Sequence, residues 1–184
     1  MNLRDLWDVD WLIEPLYDAI DHQLAAIIEQ VDDGDEEWFD VDDARQHAET
    51  LFGIAFVAAQ TYAARTVEDL NNLRMRRHKS EKKKEKPECY ACDNRLLKEG
   101  MTRIQLINAA ANYFKHHGEW AGWPTGGQGA ADRRILRSVG ITEKTGCPCV
   151  AAVEKLCGTS WKLVVLHQIL KEWRGHLFST ALNE

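Results

Sequence analysis

LFGIAFVAAQTYAA, residues 51–64, is the densest apolar stretch in the chain. Wound into a helix, it is apolar around almost its whole circumference, which is typical of a helix surrounded by other helices. Acidic residues suit a helix N-terminus, so we expect this helix to begin near residues 41–43. Val67, Leu70 and Leu73 continue the apolar pattern towards a basic run. The stretch therefore predicts a long helix at the centre of a bundle.

Another long helix is predicted before it. Apolar residues recur at steps of three and four, and the sequence DDGD at residues 32–35 ends the pattern. The recurring residues are Leu12, Leu16, Ile20, Leu24, Ile27 and Val31.

The C-terminal half predicts shorter helices. One runs from near Thr102 to about His117, two short ones occupy residues 130–139 and 147–158, and a last one follows Ser160, a suitable N-cap. Patterns that alternate apolar and polar residues, as strands do, are scarce. The sequence thus predicts an all-α protein. Its 184 residues form one domain, a helical bundle of about five to six helices with two long N-terminal helices.

Composition narrows the class of protein. Apolar residues make up 45% and charged residues 28%, as in globular domains, and no apolar run is long enough to span a membrane. The first residues are acidic where a signal peptide is basic, so we expect a cytoplasmic protein with no membrane partner. The net charge of -6 argues against coating nucleic acid by bulk charge.

Charge is unevenly distributed along the chain. Residues 32–43, DDGDEEWFDVDD, are strongly acidic, and residues 74–86, RMRRHKSEKKKEK, are strongly basic. Both are interpreted first as solvated segments that favour solubility. The alternative is that the basic run contacts phosphates or an acidic partner. Residues 78–100 are predicted to form an exposed basic linker.

The third helix carries the residues best suited to chemistry. On a helical wheel its polar residues form one narrow stripe that includes Asn112, Lys115, His116 and Glu119. His116 can transfer a proton near neutral pH, Lys115 can hold an anion, and Glu119 can orient the imidazole. These four are the candidate catalytic residues; the alternative is a solvated polar face. His117 falls on the apolar side and is predicted to pack in the core.

A glycine-rich loop, residues 118–129, follows this stripe and contains Trp120 and Trp123. We expect one or both indole rings to pack back onto the bundle beside the stripe, because they are large and amphipathic. A bare surface linker is the alternative.

Two long N-terminal helices, a variable linker and a helix that ends in a polar motif with histidine, Asn112 to His117, resemble the HEPN superfamily of small bacterial helical domains. Members include toxins, antitoxin partners and phage-defence components. In active members an arginine, four to six residues and a histidine form a metal-independent ribonuclease site, commonly completed by a homodimer. Counting back from His117, the arginine positions hold Asn112, Ala111 and Ala110, and from His116 they also hold alanines.

The resemblance implies RNA binding or ribonuclease activity in a bacterial conflict or defence system. Lys115, or Arg133 and Arg134 beyond the loop, then supplies the positive charge that binds the phosphate anion. A rival hypothesis is a non-enzymatic immunity protein or antitoxin that binds a basic protein partner through residues 32–43. A scaffold bundle without activity is a third.

The cysteines leave three interpretations open. Cys89 and Cys92 form a CxxC pair, and Cys147 and Cys149 form a CxC pair. Four thiolates can enclose a tetrahedral zinc, so zinc is the only cofactor considered. The others are a redox pair and ordinary unpaired thiols; Cys157 is predicted to be a small core residue.

Overall fold

The computed structural model describes residues 10–33, 40–78, 83–119 and 122–182. Apart from one isolated bridge between Leu96 and Thr102, these residues contain no β-structure, and the all-α prediction is confirmed. They form seven α-helices: α1 (Asp10–Asp33), α2 (Val41–His78), α3 (Lys86–Tyr90), α4 (Arg103–His116), α5 (Gly127–Ser138), α6 (Pro148–Cys157) and α7 (Leu163–Leu182). The two long N-terminal helices are confirmed. The sequence analysis missed α3, which lies in the segment interpreted as a linker.

Helix α2 is the centre of the bundle. It packs against α1, α4, α6 and α7. Its most buried side chains come from the stretch that opens the sequence analysis and from the turns after it, and they include Phe52, Ala55, Phe56, Ala59, Tyr62 and Leu70. The stretch is not buried all round, since Ile54 is exposed. The central position predicted for this helix is confirmed.

Helices α2 and α4 run antiparallel. Gly53 lies against the ring of Phe114, and Gln60 hydrogen-bonds Asn112 and Asn108, so rising numbers on α2 meet falling numbers on α4. The missing side chain of Gly53 leaves the space that the Phe114 ring occupies. The glycine therefore sets how closely the two helices approach.

Carboxylates from other helices cap α6 and α7. Glu49 of α2 accepts hydrogen bonds from the backbone N–H groups of Cys149 and Val150, both at 2.9 Å. Asp21 of α1 accepts one from the N–H of Leu163 at 3.1 Å. A helix N-terminus carries unpaired N–H groups and partial positive charge. Each carboxylate therefore accepts hydrogen bonds from those N–H groups and places a negative charge beside the positive end of the helix. Ser160, predicted as an N-cap, instead donates its hydroxyl to the Cys157 carbonyl.

The described part of the predicted linker, residues 83–100, packs onto α7. Cys89, Tyr90 and Asp93 are buried, and the Trp173 indole N–H donates to the Cys89 carbonyl at 3.1 Å. Charged residues dominate the composition of this segment, so the sequence analysis did not detect that two apolar residues, Cys89 and Tyr90, anchor it. The segment is therefore not exposed throughout, because this pair and Asp93 fix it to the bundle.

Among the described residues, no helix has an apolar stretch long enough to cross a membrane.

Candidate functional site

Helix α4 begins with a capping box. The Thr102 hydroxyl accepts from the Gln105 N–H at 3.1 Å, and the Gln105 side chain accepts from the Thr102 N–H at 2.9 Å. This reciprocal pair satisfies two N–H groups of the first turn and fixes where α4 begins. Helical periodicity then places the predicted polar residues on one face.

Asn108 and Asn112 of that stripe face other helices, while Lys115, His116 and Glu119 are exposed. The Gln60 amide of α2 donates to the Asn108 and Asn112 side-chain oxygens, both at 2.8 Å. The Asn112 amide donates to buried Asp132 of α5 at 3.1 Å, and Lys115 donates to the Gln60 oxygen at 2.7 Å. Polar groups removed from water need such partners. Asn112 and Lys115 thus join α2, α4 and α5, and the structure gives them a positioning role.

His116 and Glu119 remain exposed at the end of α4. The imidazole Nδ1 lies 3.3 Å from the Glu119 carboxylate, and the two side chains are 49% and 74% exposed. A carboxylate at this position favours a proton on Nδ1 and leaves Nε2 towards solvent. The predicted role of Glu119 in orienting the imidazole fits this contact.

His117 is exposed, and the prediction that it packs in the core is wrong. His117 keeps helical dihedral angles, and its N–H donates to the Tyr113 carbonyl, so it still lies over Tyr113; it is exposed because the buried residues of α4 end at Ala111. Its Nδ1 lies 3.2 and 3.0 Å from the carbonyls of Tyr113 and Phe114.

An aromatic cluster lies at the same end of α4 as His116 and Glu119. The His117 ring stacks on Tyr113 with centroids 4.9 Å apart, and the Trp123 ring lies 6.0 Å from Tyr113. Trp123 is half-buried and packs against the core, as the sequence analysis predicts for at least one loop tryptophan. Trp120 lies outside the described residues. The described loop therefore continues the surface formed by the end of α4.

Arginines line a groove on the other side of the loop. Arg133, Arg134 and Arg137 of α5 surround an open space of about 500 Å³ with Pro124 and Thr125. Arg133 donates to the Pro124 carbonyl at 3.4 Å, while its buried Nε has no hydrogen-bond partner among the described residues. We call this the arginine groove. Sequence analysis named Arg133 and Arg134 as anion ligands and missed Arg137, which helical spacing from Arg133 and Arg134 places on the same face.

The chain matches no protein-family model, no curated protein and no solved structure. The resemblance to HEPN domains therefore stays a prediction.

The four cysteines considered for zinc are not brought together. Cys149 lies at the Glu49 end of α2, whereas Cys89 and Cys92 share a cavity with Leu70. These two points are about 30 Å apart along α2 at 1.5 Å per residue. No three His, Cys, Asp or Glu side chains in the described ranges are grouped to hold a metal ion. The predicted site of Cys89, Cys92, Cys147 and Cys149 is therefore wrong.

The structure describes only the two ends of the acidic segment, residues 32–33 and 40–43. Residues 34–39 lie outside the described residues. Asp40 accepts hydrogen bonds from the N–H groups of Asp42 and Asp43 at 2.8 and 3.0 Å, and so caps α2. This gives Asp40 a local role, and the immunity-protein hypothesis stays a prediction.

Proposed function

We propose that the chain binds single-stranded RNA at the end of the bundle where α4 and α5 meet. The arginine groove carries the proposal, because Arg133 and Arg134 line an open and polar space together with Arg137, which is paired with Glu143 at 2.7 Å. Arginine presents a planar fork of donors that fits phosphate oxygens, and a strand of RNA offers a phosphate at each nucleotide.

Rings beside the groove favour a single strand over a duplex. Trp123 precedes Pro124, which lines the groove, and its ring lies next to the exposed stack of Tyr113 and His117. Unpaired bases stack on such rings while cations hold the backbone. A duplex keeps its bases stacked on one another and gains only the phosphate contacts.

The net charge of -6 sets what kind of binding is expected. Attraction over the whole surface is unfavourable, so affinity has to come from the groove. Arg137 is paired with Glu143, so two phosphate contacts, from Arg133 and Arg134, are expected, and on a single strand they give a slope of about −1.4 for the logarithm of affinity against the logarithm of salt concentration.

Arg134→Ala tests the groove, because Arg134 is exposed and its removal leaves the fold unstrained. We expect its affinity for a fluorescein-labelled single-stranded RNA to fall about tenfold, equivalent to ~1.4 kcal/mol, and the salt slope to become shallower. Fluorescence anisotropy measures both. Arg77→Ala is the matched control, since Arg77 is exposed at the far end of α2 and its loss changes net charge equally. Equal weakening by both variants would mean that bulk charge, not the groove, holds the RNA. Tighter binding of a duplex of the same sequence would contradict the single-strand assignment.

Cleavage of the bound strand is a second candidate function, favoured by the contact between His116 and Glu119. An imidazole oriented by a carboxylate can accept the proton of a ribose 2′-hydroxyl as it attacks the adjacent phosphorus, and arginine can stabilise the charge that develops. Lys115, which is exposed and donates to Gln60, and the arginines of the groove are the candidate sources of that positive charge.

His116→Ala separates cleavage from binding. We expect RNA cleavage in the presence of EDTA to fall at least ~100-fold, the lower end of general acid–base contributions, with affinity unchanged. His22→Ala is the matched control and should cleave normally, because His22 is an exposed histidine of α1 and belongs to neither the groove nor the aromatic cluster. If the two variants lose cleavage equally, His116 has no special role. If the wild-type protein does not cleave, the cleavage proposal fails and the binding proposal stands.

The wider setting rests on the resemblance alone. On that ground we propose a bacterial conflict or defence system, a cytoplasmic location and a homodimer that completes the site.

A further inference from the structure

A second cavity lies far from the arginine groove, between the C-terminal half of α2, helix α3 and the last turns of α7. Its volume is about 220 Å³. Leu70 and Leu177 give it an apolar floor, and Arg74 and Lys84 contribute positive charge. Both cysteines of the CxxC pair line it.

The two thiols differ in access to solvent. Cys92 is exposed, and its thiol donates to the Glu88 carbonyl at 3.3 Å. Cys89 is 1% exposed, and burial raises the pKa of its thiol to about 11. A reagent from solvent therefore reaches Cys92 first, and Cys89 can react only with a group already inside the cavity.

The backbone brings the pair close enough to be joined. The Cys92 N–H donates to the Cys89 carbonyl at 3.1 Å, which closes a turn. Residues at the ends of such a turn have Cα atoms less than about 7 Å apart. Disulfides join cysteines whose Cα atoms are roughly 4.4–6.8 Å apart.

We propose that Cys89 and Cys92 are a dithiol–disulfide couple that exchanges with low-molecular-weight disulfides such as glutathione disulfide. In the first step the Cys92 thiolate attacks one sulfur of glutathione disulfide. A mixed disulfide forms on Cys92 and one glutathione leaves as thiolate. In the second step the Cys89 thiolate attacks the Cys92 sulfur, the internal disulfide forms, and the second glutathione leaves. The pair loses two electrons and two protons, and glutathione disulfide becomes two glutathione molecules.

The reagent is admitted by the exposure of Cys92 and not by charge, because the cavity lining carries both signs: Arg74 and Lys84 are positive, Glu88 and Asp93 are negative, and Lys84 pairs with Glu88 at 3.0 Å. The second step is the slower one near neutral pH, because the high pKa of Cys89 keeps it protonated. Its rate should rise about tenfold per pH unit until the pKa of about 11 is reached, since only the thiolate attacks.

The experiment treats the folded protein with glutathione disulfide, stops the reaction with acid at intervals, and maps the products by peptide mass spectrometry. We expect a glutathione adduct on Cys92 first, followed by a link between Cys89 and Cys92 that forms faster at higher pH. Cys89→Ser should accumulate the adduct without resolving it, and Cys92→Ser should leave Cys89 unmodified.

Cys149→Ser is the matched control, because Cys149 is also buried but lines no described cavity with Cys92. It should behave as the wild-type protein does. Conversion of the Cys92 adduct into the internal link that is no faster at about pH 9 than at about pH 7 would overturn the couple, because the rate is expected to rise with the thiolate fraction of Cys89. A link from Cys92 to any other cysteine would overturn the pairing. The wild-type time course decides both points even if Cys89→Ser folds poorly.

Discussion

Gly53→Ala is expected to destabilise the protein by about 3 kcal/mol, at the upper end of the usual cost of overpacking. A methyl group at this position overlaps the ring of Phe114, so the ring must leave its place or α2 and α4 must separate. The same substitution in a helix with free space gains up to ~1 kcal/mol from helix propensity, so the loss measures the clash. Urea denaturation followed by circular dichroism measures the change.

Gly175→Ala is the matched control. Gly175 also lies in a helix, α7, and nothing stands within 4 Å of the position its Cβ would take. We expect this variant to be at least as stable as the wild type. Combining Gly53→Ala with Phe114→Leu should recover part of the loss, because leucine is smaller and can repack. A Gly53→Ala protein as stable as the wild type would show that Phe114 does not lie over Gly53.

The role of Gly53 marks what the sequence can predict. The apolar run of residues 51–64, interrupted only by Gln60 and Thr61, predicts a central helix because burial on several sides has a visible pattern. The close approach at one glycine depends on Phe114, a residue of another helix, and no local pattern links the two. The pattern of neighbouring residues predicts that a segment is a helix, but it does not predict which residue of another helix will contact it.

The two adjacent histidines show the same limit at a helix end. The wheel places His117 on the apolar side beside Tyr113, and that direction is the observed one, because His117 keeps helical dihedral angles and stacks on Tyr113. The side chain is exposed nonetheless, because the buried residues of α4 end at Ala111. A helical wheel gives the direction of a side chain, but it does not show where along the helix the packed neighbours end.

The polar stripe of α4 needed a third interpretation. A narrow polar face was read as either a catalytic surface or a solvated one. Its first part is an interface, in which Gln60 and Asp132 hydrogen-bond Asn112, and its last part, Lys115, His116 and Glu119, is exposed. Gln60 is the one amide within residues 51–64, and a polar residue in an apolar helix predicts a partner elsewhere in the core. That signal was present in the sequence, but the identity of the partner was not.

Asp93→Ala is expected to cost about 3–5 kcal/mol, because it leaves a buried guanidinium without its carboxylate. Asp93 accepts hydrogen bonds from Arg103 Nε at 2.9 Å and from a terminal nitrogen of the same guanidinium at 2.8 Å. It also accepts from the backbone N–H groups of Arg103 and Arg95, both at 3.2 Å. In the variant the Arg103 guanidinium keeps its ion pair with Glu172 at 3.2 Å, and the Glu172 side chain is partly exposed. The melting temperature should fall by roughly 10 °C, given 2–4 °C per kcal/mol for a chain of this size.

Removing the charge on both sides tests whether this cost comes from the stranded guanidinium. In the double variant Asp93→Ala with Arg103→Met, no buried cation is left, and methionine fills a similar volume with an apolar chain. Replacing a whole buried ion pair is often close to neutral, so we expect the double variant to be more stable than Asp93→Ala alone. The recovery should be incomplete, because the N–H groups of Arg103 and Arg95 still lose their acceptor. If the double variant is no more stable than the single one, the carboxylate matters chiefly as a cap for the turn and for α4, and the ion pair contributes little.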